Sequence, residues 1–175
     1  IHRFEKYGLA LKQGYGQTET SVLTCLDGHE AIRKAGSVGR PVPNADIQIV
    51  DRETLDRDPS HWRTCVAGEV GEIVVRGPIT MLGYWKRPEE TAEILRGEWL
   101  RTTDLAHADE EGFFTLVGRS RDMIISGGEN VYPAEVEEVL SQHEDIREVA
   151  VVGIPDEKWG EVGRAHVVLE SNRAL

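Results

Sequence analysis

The chain has 175 residues, 39 % of them hydrophobic and 29 % charged, with a net charge of −11. That length can bury a core without disulfides or metals, and that composition is globular. The acidic balance, with no basic cluster, excludes a nucleic-acid binder. The longest apolar run, residues 149–152, is far too short for a transmembrane helix.

Taken in chain order, strands are expected over 46–50, where Ile47 and Ile49 alternate with Gln48, and over 72–76. A short helix is expected over 88–95. It has Pro88 at its first position, Glu89 and Glu90 in its first turn, and Gly97 to stop it. A further strand is expected over 113–117. Glycine and proline punctuate the rest, so the first part reads as short strands with long connections, the barrel-like edge of a larger α/β protein. Beyond Gly118 the texture changes, with 12 acidic and 6 basic residues against 19 and 14 up to that point. A strand over 123–125, a tight turn over 126–130 and a returning strand at 131–132 lead to a helix opening at Pro133. Val136, Val139, Leu140 and His143 mark its apolar face, with glutamates opposite. Strands over 149–154 and 166–169 follow. The expected class is α/β, mixed α+β, with a break near residues 119–122 and a second unit too small to close its own core.

Cys25 and Cys65 lie forty residues apart without a CxxC spacing and read as reduced thiols of a cytoplasmic protein. The six histidines never fall at metal-ligand spacing. The start on Ile1, with no signal peptide, suggests a piece of a longer chain.

The sharpest motif is Gln13-Gly14-Tyr15-Gly16-Gln17-Thr18-Glu19-Thr20. Gly14 and Gly16 would let the backbone approach a flat ligand while the Tyr15 ring stacks on it. Thr18 and Glu19 could serve a phosphate and its magnesium, an ion usually held by one or two carboxylates plus substrate phosphate. Taken alone, the motif is equally a glycine-rich turn with a tyrosine. It is neither a P-loop nor GxGxxG.

Downstream come Gly71-Glu72-Ile73-Val74-Val75-Arg76-Gly77, Gly83-Tyr84-Trp85 and Trp99-Leu100-Arg101-Thr102-Thr103-Asp104. Then follow Gly118-Arg119-Ser120-Arg121-Asp122-Met123-Ile124-Ile125-Ser126-Gly127-Gly128-Glu129-Asn130-Val131-Tyr132-Pro133 and Gly153-Ile154-Pro155-Asp156-Glu157-Lys158-Trp159-Gly160-Glu161. In this order and spacing the chain resembles the adenylate-forming superfamily of acyl-CoA synthetases, luciferases and peptide-synthetase adenylation domains. The resemblance runs over essentially its whole length.

That resemblance implies the end of a large AMP-binding domain over residues 1–120 and the start of a small mobile domain over 121–175. It implies that Tyr15 stacks on adenine, Thr18 touches phosphate and Glu19 reaches magnesium, these last two being the catalytic candidates. It implies that Asp104 holds both ribose hydroxyls and that Arg119 also reaches the ribose. Arg121 falls on the hinge between half-reactions. Ser126, Gly127 and Gly128 match the loop lining the pantetheine tunnel, and Trp159 matches a position that stacks on the coenzyme A nucleotide. Gly127 and Gly128 would equally make a plain hairpin turn. Tyr84 and Trp85 read as packing residues.

The implied activity joins a carboxylic acid, fatty or aryl, to AMP from ATP and passes the acyl group to coenzyme A. A carrier-protein adenylation domain, or a non-catalytic nucleotide-binding module, is the alternative. Two departures stand out. The family's phosphate loop and its catalytic lysine have no counterpart here, so the 175 residues alone are expected to make no thioester. And Thr103 stands where the family usually has glycine before the ribose-binding aspartate. If φ is positive there, a β-branched residue is strained.

Overall fold

The structure, a computed structural model, describes residues 6–9 and 11–170. The outer ends of both expected domains, 1–5 and 171–175, and residue 10 lie outside the described residues. Contacts divide the chain into Ile1–Leu116 and Val117–Leu175. The fold is mixed, mostly strands with few helices.

In the first unit β1 (Gln13–Gln17), β2 (Ser21–Leu26) and β3 (Arg40–Pro41) form one antiparallel sheet. A larger sheet orders β4 (Asp46–Val50), β5 (Gly71–Arg76), β7 (Trp99–Ala108) and β6 (Leu95–Arg96), with β8 (Phe114–Arg119), the strand in which the division falls, also pairing β7. Leu23, Val38, Ile49, Ile73, Val75, Leu100, Ala106 and Phe114 make the main core, and Tyr15 packs against it. Helix α1 (Pro88–Ile94) starts on proline as expected. Gly97, however, does not end it. The helix passes directly into β6, and Gly97, at φ 61°, makes the tight turn from β6 to β7.

The glycine-rich motif at 13–20 is not a free-standing turn. It is β1 and the bend into β2, with Gln13 paired to Leu26 and Gln17 to Ser21. Gly16 is needed for contact with its own partner strand: a Cβ there would stand 2.0 Å from the Ser21 carbonyl oxygen. The close approach expected toward a ligand is therefore, at Gly16, an approach to β2.

The second unit is a four-stranded antiparallel sheet ordered β10 (Glu129–Val131), β9 (Ile124–Ser126), β12 (Gly160–Leu169) and β11 (Ile146–Asp156). Helix α2 (Pro133–Ser141) packs on β11. Its expected apolar face is only partly right. The helix ends at Ser141, before His143, and Val139 is exposed. Glu137, assigned to the solvent face, accepts the Val151 N–H at 2.7 Å. A backbone donor in the sheet needs an acceptor, and the glutamate supplies it. Among the described residues, the buried hydrophobics of this unit are Val117, Ile124 and Val151.

Candidate functional site

The site of the first unit is built on β1 and β7. Alternation along β1 points Tyr15 and Gln17 to the same face. The Tyr15 hydroxyl donates to Asp104 Oδ2 at 2.7 Å, and Gln17 Nε2 donates to the same oxygen at 2.7 Å. Gln17 Nε2 also donates to the Thr102 carbonyl at 2.9 Å. The sequence reading missed Gln17; its signal was the i, i+2 spacing from Tyr15 on a strand.

Asp104 is only 7 % exposed, and a bulge in β7 aims it. Between β5 and β7, Glu72 pairs Leu105 while Val74 pairs Arg101, so 102–104 stand opposite Ile73 alone. Thr103 occupies this bulge at φ 62°, the left-handed region where its β-branch is strained. The condition raised by the sequence is thus met, and Asp104 is nonetheless held in place by Tyr15 and Gln17.

Flanking residues fasten the bulge. Thr102 Oγ1 donates to the Ile73 carbonyl at 2.8 Å and accepts the Asp104 N–H at 3.1 Å. Beside it, Arg101 grips the fully buried Glu72 with two bonds of 2.9 and 3.1 Å. That bonding raises the guanidinium pKa further, so it stays cationic.

Thr18 is exposed, at the bend after β1, and Glu19 is half-buried. The Glu19 backbone carbonyl accepts the Met81 N–H at 2.8 Å, and its Oε1 accepts the Tyr84 hydroxyl at 2.8 Å. Burial and that bond push the Tyr84 phenol above its usual range, keeping it a donor. Tyr84 was expected to be a packing residue; its hydroxyl bonds the candidate carboxylate of Glu19. Trp85, expected to pack as well, is 86 % exposed.

The second unit carries the remaining candidates. Gly127 and Gly128, at φ 60° and 90°, form the two-residue turn from β9 to β10, the mirror-image type that suits strand twist. Ser126 ends β9 and pairs Glu129 and Gly160. The Trp159 ring lies on Gly127, where a Cβ would stand 2.6 Å from its Cε3, and the Gly127 N–H donates to the Trp159 carbonyl at 2.8 Å. Lys158 Nζ sits 4.4 Å from the centre of that ring. Arg119 is exposed at the end of β8. Arg121 is exposed and lies 3.5 Å from Asp122. Both arginines line a hollow of about 470 Å³ with Glu137 and Glu161.

The chain matches two known families in sequence order: the AMP-binding enzyme over residues 1–85, and the AMP-binding enzyme C-terminal domain over 135–175. It is 46 % identical over 169 residues to a long-chain-fatty-acid–CoA ligase of Bacillus subtilis, covering 96 % of this chain and 29 % of the relative. To an indoleacetate–CoA ligase of Aromatoleum aromaticum it is 44 % identical over 176 residues, covering 100 % and 33 %. A solved o-succinylbenzoate CoA synthetase of Bacillus subtilis, in complex with its acyl-adenylate intermediate, matches at a TM-score of 0.85 and 38 % identity, covering 99 % and 34 %. The chain therefore spans about a third of the length of the relatives it matches. The order of the motifs, the fold and this likeness over nearly every residue agree, and the chain belongs to the family of AMP-binding, adenylate-forming enzymes.

Proposed function

We propose that this chain is the part of an ATP-dependent acyl-CoA synthetase that holds the nucleoside and begins the mobile small domain, with residues 1–120 in the large domain and 121–175 in the small one. The observation that carries the reading is the Asp104 carboxylate, buried and aimed by a bulge, with donors from Tyr15 and Gln17 fixing one of its oxygens. A carboxylate so held is a strong acceptor for the paired hydroxyls of a ribose. The naming of the relatives as CoA ligases supports the rest.

In this reading the acid's carboxylate oxygen attacks the α-phosphorus of ATP, pyrophosphate leaves, and the thiol of coenzyme A then displaces AMP from the acyl carbon. Tyr15, with Gly14 and Gly16 beside it, presents its ring to adenine, Asp104 and Arg119 hold the ribose, and Thr18 contacts phosphate. Glu19 suits a magnesium ion that arrives with ATP. Glu19 would supply that ion a carboxylate oxygen beside those of the substrate phosphate. Arg121 serves as the hinge. Ser126, Gly127 and Gly128, with Trp159, meet the pantetheine arm and nucleotide of coenzyme A. The acid is of the fatty or aryl kind, and the setting is cytoplasmic, in keeping with two free cysteines. Among the described residues, no helix is long and apolar enough to cross a membrane.

The test is pyrophosphate exchange by the full-length protein against a panel of fatty and aryl acids, followed by addition of coenzyme A. Acid-dependent exchange and then thioester are expected. Exchange with no thioester would favour a carrier-protein adenylation domain, and absence of both would favour a binding module.

A further inference from the structure

Gln17 makes contacts that the adenosine-binding reading does not by itself require. Its Nε2 donates to two acceptors, the Thr102 carbonyl at 2.9 Å and Asp104 Oδ2 at 2.7 Å. Only the nitrogen end of a carboxamide can satisfy two acceptors, so the orientation of the amide is determined. The two acceptors lie on either side of Thr103, the β-branched residue held at φ 62° in the bulge. One side chain from β1 thus spans the strained residue of β7 from the outside. From within, Thr102 Oγ1 closes the same three residues by accepting the Asp104 N–H.

A left-handed β-branched residue persists only where its surroundings over-determine it. Here the over-determination comes from a different sheet, through Gln17. If that side chain could not donate, Thr103 would have one fewer restraint against relaxing to an ordinary β conformation. Asp104, the next residue, would then turn with it. The bond to a carboxylate is charge-assisted, which makes it among the stronger contacts a neutral side chain can form.

We propose that Gln17 is a positioning residue that clamps the Thr103 bulge and so sets how well Asp104 distinguishes a ribose from a deoxyribose. The inference rests on the reading of Asp104 as the ribose-binding group. Gln17 itself touches no nucleotide in this account; it acts through the aspartate.

The test uses the full-length protein with ATP, 2′-deoxy-ATP and 3′-deoxy-ATP in the pyrophosphate-exchange assay. Gln17→Met keeps the length of the side chain and removes both donors. It should lower kcat/KM for ATP about tenfold, the loss expected for one charge-assisted bond, and cost the deoxy nucleotides, which keep only one of the two hydroxyls, clearly less, so that the preference for ATP shrinks. Thr103→Gly removes the strain, so adding Gln17→Met in that background should cost clearly less than in the wild type. Equal losses for all three nucleotides would assign Gln17 a merely structural role and overturn the proposal, as would the same loss in both backgrounds. Asp104→Ala is the control for the underlying reading: if it leaves the preference for ATP intact, Asp104 does not read the ribose, and the failure lies there rather than with Gln17.

Discussion

The Asp104 corner of the first unit and the Gly127 turn of the second solve opposite problems. Asp104 is a charge kept nearly out of water, and everything around it is fastened: two side-chain donors from β1, Thr102 behind, and the Arg101–Glu72 pair beside the bulge. The Gly127 turn lies on a unit whose buried hydrophobics, among the described residues, number three, and beyond the pairing of its strands a half-exposed indole and the bond to the Trp159 carbonyl support it. The carboxylate proposed to hold the ribose is set over a core, whereas the turn proposed to meet coenzyme A is set on a thinner sheet. The comparison teaches where side-chain bonding is concentrated: in the corner to which we assign the nucleoside.

The largest effect is expected at the fastened corner. Asp104→Ala removes the proposed acceptor for two ribose hydroxyls, and roughly 2–4 kcal/mol should be lost from transition-state binding, about 30- to 1000-fold in kcat/KM for ATP. Unchanged ATP kinetics would end the contrast. The next test moves to the second unit. Arg121, proposed as the hinge, is exposed and lies 3.5 Å from Asp122. Proline fixes φ near −65° and removes the N–H. Arg121→Pro should therefore cut thioester formation from preformed acyl-adenylate about a hundredfold, for a second pose made about 3 kcal/mol costlier, and reduce adenylation much less. Equal losses in the two half-reactions would remove Arg121 as the hinge.

A smaller effect sharpens the account of strain. Thr103→Gly relieves about 1–2 kcal/mol of left-handed strain and adds about 0.5–1 kcal/mol of chain entropy, for a net gain of roughly 0.5–1 kcal/mol in stability. Urea unfolding checks the sign; a loss would mean that the bulge is not strained. The smallest effect concerns acid. Bonds from Arg33 and then Lys34 hold the Glu111 carboxyl at about 2, below its ordinary 4.5. A lowered folded pKa contributes stability in full above the ordinary value and loses it as pH falls from there toward about 2. Glu111→Gln should thus be slightly less stable than wild type at neutral pH and converge with it in acid. A difference that does not narrow on acidification would contradict that assignment.

What the sequence made legible follows from how each segment meets its neighbours. The strand at 46–50 and the start of the helix at Pro88 were readable because side chains alternate in the one and proline opens the other. The Gly127-Gly128 turn was readable because both residues need positive φ. Strand β7 was not, since its inward positions at the bulge are Thr102 and Asp104, and a strand that buries polar groups loses the apolar alternation. β1 was hidden by its glycines, of which Gly16 serves the close approach of β2. Asp104 and Tyr15 were identified by motif, but their bond spans 89 residues and depends on two sheets meeting. Gln17 lay inside the motif without a role of its own, and only the fold brings it to the aspartate. The role of Glu137 was concealed for a similar reason, since its partner is a backbone N–H that no sequence pattern shows.

The most direct measurement is a binding cycle at equilibrium, with AMP and 2′,3′-dideoxy-AMP titrated into the full-length protein and its Asp104→Ala variant. The account predicts that the wild type binds AMP about thirtyfold or more tightly than the dideoxy compound, and that this preference nearly vanishes in the variant. A wild-type protein that binds both alike, or a variant that keeps the preference, would contradict the claim that Asp104 holds the ribose.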